Sequence, residues 1–428
     1  MQFKILTLTL FVVLSSCQLL YREAVYYQAD VTDHKIFPYT EVNTGDKPWH
    51  YHKGNRALFD TLKITFGKDS AILLADMLEA SSTHAFVVIR NDSVLFEKYY
   101  EAYQSDDIST FFSVSKSVTS LLMGIAIDEG YIDDVNDPIV KYIPELKGRA
   151  PEYERLTLQH LLDMRSGMEF NESYGNPFSH MAKLYYGRNQ FAQLKRLEFE
   201  HEPGTVHDYQ SSSTALLGIA IEKASGKELG QYLEEKVWIP MGMENSATWS
   251  VDDKHHRSAK AYCGLNATAI DLAKIGSLYL KKGNWNGKQI VSEEWVTSAT
   301  TPNTGNDGYQ NQWYSFSGYG RDSLNTKYFD DSNAVQELWE QEYQEKYSDY
   351  YIRKIVKANY REGYRDKLWS DAAEYKWGLQ IYTGQFYALG IMKQVLYVDP
   401  DKNLVMVRLG ATGDKEYTSL MYTIGKAL

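Results

Sequence analysis

Cysteine is scarce in this sequence, with only Cys17 and Cys263 in 428 residues. That excludes a disulfide scaffold, and Cys17 lies where an export signal ends, so the two are not expected to pair. An excess of positive charge is missing as well. The formal net charge is −11, which argues against a nucleic-acid partner needing clustered Lys and Arg. No apolar run reaches the ~20 residues that a membrane-spanning helix needs. There is no Gly-rich phosphate loop of P-loop type and no G-x-S-x-G nucleophile elbow. Histidines sit together only in Trp49-His50-Tyr51-His52 and His255-His256. Neither has the spaced Cys, His or carboxylate company of a zinc site, so no metal and no cofactor are expected.

What is present begins at the N-terminus. Lys4 precedes an apolar run from Ile5 to Leu14, and small residues follow up to Cys17. This pattern predicts a signal peptide over residues 1–17. Leu14-Ser15-Ser16-Cys17 also resembles the bacterial lipobox, which implies cleavage before Cys17 and its lipidation. An ordinary signal peptide with an incidental cysteine is the alternative. The expectation is a soluble domain at the bacterial cell envelope, periplasmic or on the outer-membrane surface, touching the membrane through the lipid anchor only.

Residues 18–80 are polar, aromatic and weakly periodic, and read as a tether and irregular extension. Residues 81–428 read as one catalytic domain. Phe86–Arg90 and Val94–Tyr99 flank Asn91-Asp92-Ser93 as in a β-hairpin. From Ser113, apolar residues at 118, 121, 122, 125 and 126 follow helical spacing up to Glu129-Gly130. Leu158–Met164 and Thr214–Ala224 look helical too. Strands are expected at Trp377–Tyr382, Gln385–Leu389, Gln394–Val398 and Leu404–Leu409, with a closing helix from Tyr417 to Leu428. Strands at both ends with helices between them predict an α+β domain. Its antiparallel sheet would join the two ends of the domain, flanked by helices and carrying a helical subdomain. A polar insertion at 303–372, with a helix over Ser332–Lys357, reads equally as a lid or a passive surface segment.

The chemistry starts at Ser113-Val114-Ser115-Lys116. Residues three apart share a helix face, so the Ser113 hydroxyl and the Lys116 amine can meet. A serine hydroxyl needs a base, and a lysine is one only where its pKa is lowered. The bland alternative is a solvated lysine with Ser113 as a helix N-cap. A hundred residues on, Tyr209-Gln210-Ser211 stands at a loop-to-helix junction. Tyr209 could pass a proton to a leaving group, and Ser211 could position Lys116 or the substrate.

Several motifs in order carry a resemblance. Phe112–Ser117, Asp128–Asp133, Leu158–Leu162, Pro203-Gly204-Thr205 with Tyr209-Gln210-Ser211, Leu265–Thr268 and Lys282–Gly287 resemble the serine β-lactamase-related family. That family includes class C β-lactamases, D-alanyl-D-alanine carboxypeptidases, family VIII esterases and 6-aminohexanoate-dimer hydrolases. The last two groups are the nearest in look. The resemblance implies a β-lactamase/transpeptidase-like fold and an acyl-enzyme on Ser113, with Lys116 and Tyr209 as proton-transfer groups. Its third motif, K-T-G or H-x-G, best matches Ala388-Leu389-Gly390; Tyr382-Thr383-Gly384 fits less well. Gly390 permits close backbone approach, and the Ile391 N–H could pair with that of Ser113 as an oxyanion hole. Ala388 stands where the family carries a cation or imidazole that holds a substrate carboxylate, and Lys393 where glycine is common. A small or oligomeric neutral ester or amide is therefore the expected substrate. A β-lactamase or D-alanyl-D-alanine carboxypeptidase is one rival, and a non-catalytic binding or sensing lipoprotein the other. Asn266 falls where the hydrolase group has an asparagine reaching substrate, or it is a turn residue capping the helix around Asp271. Cys263, in place of a family glycine, reads as a small buried, inert residue.

Overall fold

The computed structural model describes residues 29–55, 57–64, 71–301, 308–315, 384–412 and 417–428. Two larger sheets are built, in chain order, from β1 (Tyr39–Val42), β2 (His52–Lys53), β3 (Thr83–Arg90), β4 (Ser93–Tyr99), β5 (Ser109–Thr110) and β6 (Ala247–Ser250). They continue with β7 (Leu265–Ala267), β8 (Tyr309–Gln310), β9 (Trp313–Ser315), β10 (Phe386–Gly390), β11 (Gln394–Asp399) and β12 (Leu404–Gly410). The principal helices are α1 (Val114–Asp128), α2 (His180–Tyr186), α3 (Ser211–Ser225), α4 (Ala269–Leu280) and α5 (Tyr417–Ala427).

Among the described residues the main sheet has eight strands in the order β8-β9-β10-β11-β12-β3-β4-β2. Neighbours run antiparallel except β2, which lies parallel to β4. The early hairpin and the late strands meet where β3 pairs with β12, Val87 opposite Val407. Both faces are covered, which is why β3 is apolar almost throughout rather than alternating with polar residues. Ala85, Val87 and Ile89 face a core shared with α1, α3 and α4. Phe86 and Val88 face a second core completed by Leu420, Met421 and Ile424 of α5.

Helix α1 runs through the larger core and is buried from Val114 to Ala126. A buried hydroxyl is costly without a partner, and three of those on α1 bond to neighbouring segments. Ser115 Oγ accepts the Leu265 N–H at 3.0 Å, Ser117 Oγ donates to the Gln312 carbonyl at 2.7 Å, and Thr119 Oγ1 donates to the Ala261 carbonyl at 2.9 Å. These bonds tie the helix to β7, to the segment before β9 and to the loop ahead of β7.

From residue 29 onward the expected tether is instead part of the domain. β1 enters a four-stranded sheet ordered β1-β6-β7-β5, β2 edges the main sheet, and Val31, Phe37 and Val42 are buried. Short strands and single buried anchors leave little periodicity to read. The helix expected over Leu158–Met164 stops at Leu162, because Met164 takes a left-handed φ of 56°. α3 is longer than expected, starting at Ser211 and closing on Gly226 at φ 70°. Residues 1–28, with Cys17, lie outside the described residues, as do the helix expected at Ser332–Lys357 and the strand at Trp377–Tyr382.

Candidate active site

The approach to Ser113 is strained. Phe112 is buried at a left-handed φ of 49°, a conformation that costs a bulky residue energy and persists because the surrounding packing holds it. The chain then turns into α1 at Ser113. The Ser113 side chain makes no helix-capping hydrogen bond. It accepts instead from Lys116 Nζ at 3.0 Å. Lys116 is 1% exposed, so the solvated-lysine alternative is excluded.

Lys116 Nζ also donates to Ser211 Oγ at 3.1 Å and to the Tyr262 carbonyl at 3.2 Å. It lies 4.8 Å from the centre of the Tyr209 ring, and a side-chain hydrogen bond joins Tyr209 to Ser113. The four residues expected to act together, Ser113, Lys116, Tyr209 and Ser211, are therefore brought together. Gln210 fixes the junction between Tyr209 and α3: its side chain meets Ser166 Oγ at 3.0 Å and the Met168 carbonyl at 2.8 Å.

Burial sets the proton affinities. It lowers the Lys116 pKa to about 8, against an upward pull from Glu172. About a tenth of the amine is then neutral at pH 7, against well under a thousandth for an ordinary lysine. Burial also pushes the Tyr209 phenol well above its ordinary value, with its bond to Ser113 pulling the other way. Tyr209 thus keeps its proton while Lys116 can lose one, which separates a base from a proton donor.

Glu172 was not anticipated from the sequence. Its carboxylate accepts the Ser211 N–H at 2.8 Å, the Ser211 hydroxyl at 2.6 Å and the Tyr174 hydroxyl at 2.8 Å. It orients Ser211 toward Lys116 and is the negative charge acting on that amine. Its stretch, Asn171-Glu172-Ser173-Tyr174, is polar and aperiodic, so only the return of the chain in space marks it.

On the other side of Ser113 stands the end of β10. A Cβ added at Gly390 would lie 2.5 Å from the Phe111 carbonyl oxygen and 3.3 Å from the Ser113 nitrogen. Only glycine allows that approach. It sets the end of β10 against the start of α1, and Ser113 and Ile391 both line the same cavity. Among the described residues, the backbone N–H of neither is taken up by a turn or loop hydrogen bond. Ala388 is 1% exposed and packs into the larger core, so this strand presents no cation at that position.

Asn266 departs from its expected role at the substrate. It is fully buried on β7, and the two N–H groups of its Nδ2 are shared among four oxygens at 2.9–3.2 Å, the Thr248 and Gly264 carbonyls and the Thr248 and Ser250 hydroxyls. Those bonds hold the amide in the small sheet, away from the cavity wall. It does not cap the Asp271 helix either, since Thr268 does.

A cavity of about 420 Å³ opens beside Ser113, lined among others by Tyr174, Tyr185, Tyr262, Cys263 and Ile391. Among the described residues its lining carries no charged side chain. Cys263 is buried there, and burial raises its thiol to about 12, which keeps it protonated and unreactive.

A beta-lactamase family model matches residues 74–325, more than half of the chain. The chain belongs to the beta-lactamase family. Within that family it is 30% identical over 240 residues to a 6-aminohexanoate-dimer hydrolase of Paenarthrobacter ureafaciens, covering 53% of this chain and 59% of that one. It is 29% identical over 203 residues to the D-alanyl-D-alanine-carboxypeptidase/endopeptidase AmpH of Escherichia coli K12, covering 45% and 52%. The match thus spans little more than half the length of these relatives. A solved Bacillus anthracis structure, provisionally named a 6-aminohexanoate-dimer hydrolase, superposes over 92% of both chains with a TM-score of 0.69 at 23% identity. That likeness establishes the β-lactamase/transpeptidase-like α+β fold expected from the sequence.

Proposed function

We propose that this protein is a serine hydrolase that cleaves a neutral ester or amide through an acyl-enzyme on Ser113. The observation that carries the reading is the 3.0 Å contact between Ser113 Oγ and the buried amine of Lys116. Neutral Lys116 takes the Ser113 proton as Oγ attacks the carbonyl carbon. The Ser113 and Ile391 N–H groups receive the developing oxyanion, each worth about 3–4 kcal/mol when aimed at that charge. Tyr209 gives its proton to the leaving group and regains one from Lys116, so no net charge is left in the apolar site. Water then attacks the acyl-enzyme by the reverse relay, releasing the acid and restoring Ser113.

Hydrolase and esterase names among the relatives support this reading, and so does the uncharged cavity wall. Ala388 weighs against a β-lactamase or carboxypeptidase, since no cation stands there to hold a substrate carboxylate. The lowered Lys116 pKa weighs against a non-catalytic binding protein, which has no need of a partly neutral buried amine. The decisive experiment is covalent labelling by a fluorophosphonate. Wild type should label, and Ser113→Ala should lose the label entirely; undiminished labelling of Ser113→Ala overturns the proposal. A fluorescent penicillin run beside it should acylate wild type slowly or not at all.

The N-terminal reading belongs to the same proposal: cleavage before Cys17, its lipidation, and attachment to the bacterial envelope. Cys17→Ser should release the protein from the membrane fraction of a bacterial host. Retention would overturn the anchor.

A further inference from the structure

The cavity beside Ser113 has a wall that the catalytic machinery does not explain. Tyr185, on α2, lines it, and so does Ala29 of the N-terminal segment. That segment is fixed in place. The Val31 carbonyl accepts the Thr110 N–H at 2.8 Å, the His34 N–H donates to Thr110 Oγ1 at 3.1 Å, and the Pro38 carbonyl accepts the Val251 N–H at 2.8 Å. Between these anchors lies Asp33, a carboxylate only 5% exposed, and it accepts a short hydrogen bond from the Tyr185 hydroxyl.

Tyr185 is held from other directions as well. Its backbone carbonyl accepts from Lys260 Nζ at 2.6 Å, and the Phe37 and Tyr186 rings meet it edge-on at 5.1 Å and 5.0 Å. Lys260 is fully buried, with its Nζ 4.4 Å from the centre of the Phe37 ring. Burying a carboxylate and an ammonium is expensive, and apolar residues of similar volume would usually fill such a space more cheaply. What the charges add is direction: a phenol bonded at its hydroxyl and packed on its edges cannot swing. The ring they fix is a wall of the cavity where the acyl group must lie.

We propose that Asp33 is a positioning residue for this cavity: by holding the Tyr185 ring it limits the length of acyl chain the site accepts. The inference rests on Ser113 being the nucleophile and adds a substrate class, apolar acyl groups of bounded length. The N-terminal segment is then part of the specificity machinery of the domain.

The test uses the full chain and a series of alkyl fluorophosphonates from ethyl to decyl, read as second-order labelling rates at Ser113. Freeing the wall should let roughly two more methylenes be buried. At about fourfold per methylene, Asp33→Ala should raise the decyl-to-ethyl rate ratio about fifteenfold. Tyr185→Phe, which keeps the ring and its volume, should move the ratio in the same direction and guards against a folding defect in the alanine variant. Asp33→Asn keeps a side-chain oxygen acceptor and should restore the wild-type ratio. The ethyl rate of each variant is the internal reference for its own ratio, so a loss common to every chain length cancels. A general structural defect would slow every chain length alike. An unchanged ratio in both Asp33→Ala and Tyr185→Phe, or an equal fall at all lengths, overturns the inference and leaves the nucleophile standing. Failure of every probe to label wild type removes the nucleophile reading and this inference with it.

Discussion

On the helix side of Ser113, Lys116, Ser211, Tyr209 and Glu172 crowd a partly buried space and interact through their side chains. On the strand side Ile391 reaches the cavity, with Gly390 close against the Ser113 backbone and Ala388 buried in the core behind it. In the proposed reaction the first side moves protons, and burial tunes it. The second would only have to present donors at a fixed place, and close packing achieves that without a charge. The turn after β10 shows how firmly it is held. Arg408, fully buried, donates to the Met392 carbonyl at 2.6 Å and the Lys393 carbonyl at 3.0 Å, while Gln394 reaches the Ile391 carbonyl at 3.3 Å. Met392 and Lys393 both take left-handed φ values, 57° and 56°, so the turn needs those carbonyl clamps.

The contrast breaks most sharply at Gly390. Replacing it with alanine puts a methyl 2.5 Å from the Phe111 carbonyl oxygen, well inside contact distance. The strand must move back, and the Ile391 N–H moves with it. Gly390→Ala should lower kcat by about 10²–10³-fold with a smaller change in KM, as for loss of one oxyanion donor. Stability should fall by about 1–3 kcal/mol, read by urea unfolding. An unchanged kcat would mean that the strand wall takes no part in the chemistry.

The same contrast explains what could be read from the sequence. Proton-transfer chemistry needs particular side chains at particular spacings, so Ser113, Lys116, Tyr209 and Ser211 were legible as motifs. The strand side needs a backbone position, and the one letter that marks it is the glycine at 390. The hairpin β3–β4, the start of α1 and strands β11 and β12 were legible because each is long and apolar at a regular period. The N-terminal segment was not. Its two-residue pairing at β2 and single anchors such as Asp33 carry no period, and they gain meaning only beside Thr110, Tyr185 and Val251. Glu172 was missed for the same reason, since a lone carboxylate in a polar loop has no partner until the chain folds back to Ser211.

Glu172 offers a finer probe of the helix side. Its negative charge raises the Lys116 pKa, against the larger downward effect of burial. In the proposed mechanism the neutral amine is the base, so wild-type labelling at Ser113 should rise with pH through about 8. In Glu172→Gln the opposing charge is gone, Lys116 loses its proton more readily, and the rising limb should move to lower pH. The plateau rate should fall by about tenfold at most, through the weaker hold on Ser211. Rate-against-pH curves for the two proteins decide the matter, and a limb that stays or moves upward would remove Glu172 from the electrostatics of the site.

The smallest effect on activity is expected at Asn266, which separates a structural amide from a substrate contact. Its Nδ2 bonds the Thr248 carbonyl and hydroxyl on β6, the Ser250 hydroxyl at the end of that strand, and the Gly264 carbonyl just before β7. Removing it leaves several of those buried acceptors short of a donor, a loss of about 2–3 kcal/mol in stability. No group facing the cavity is lost, so kcat and KM should stay within about threefold of wild type at temperatures where the variant is folded. Asn266→Ala should therefore unfold at lower denaturant while its folded form hydrolyses an ester almost normally. The opposite pattern, intact stability with kcat/KM down by two orders of magnitude, would return Asn266 to the substrate. It would also show that the small sheet, and not α1 and β10 alone, supplies a wall of the site.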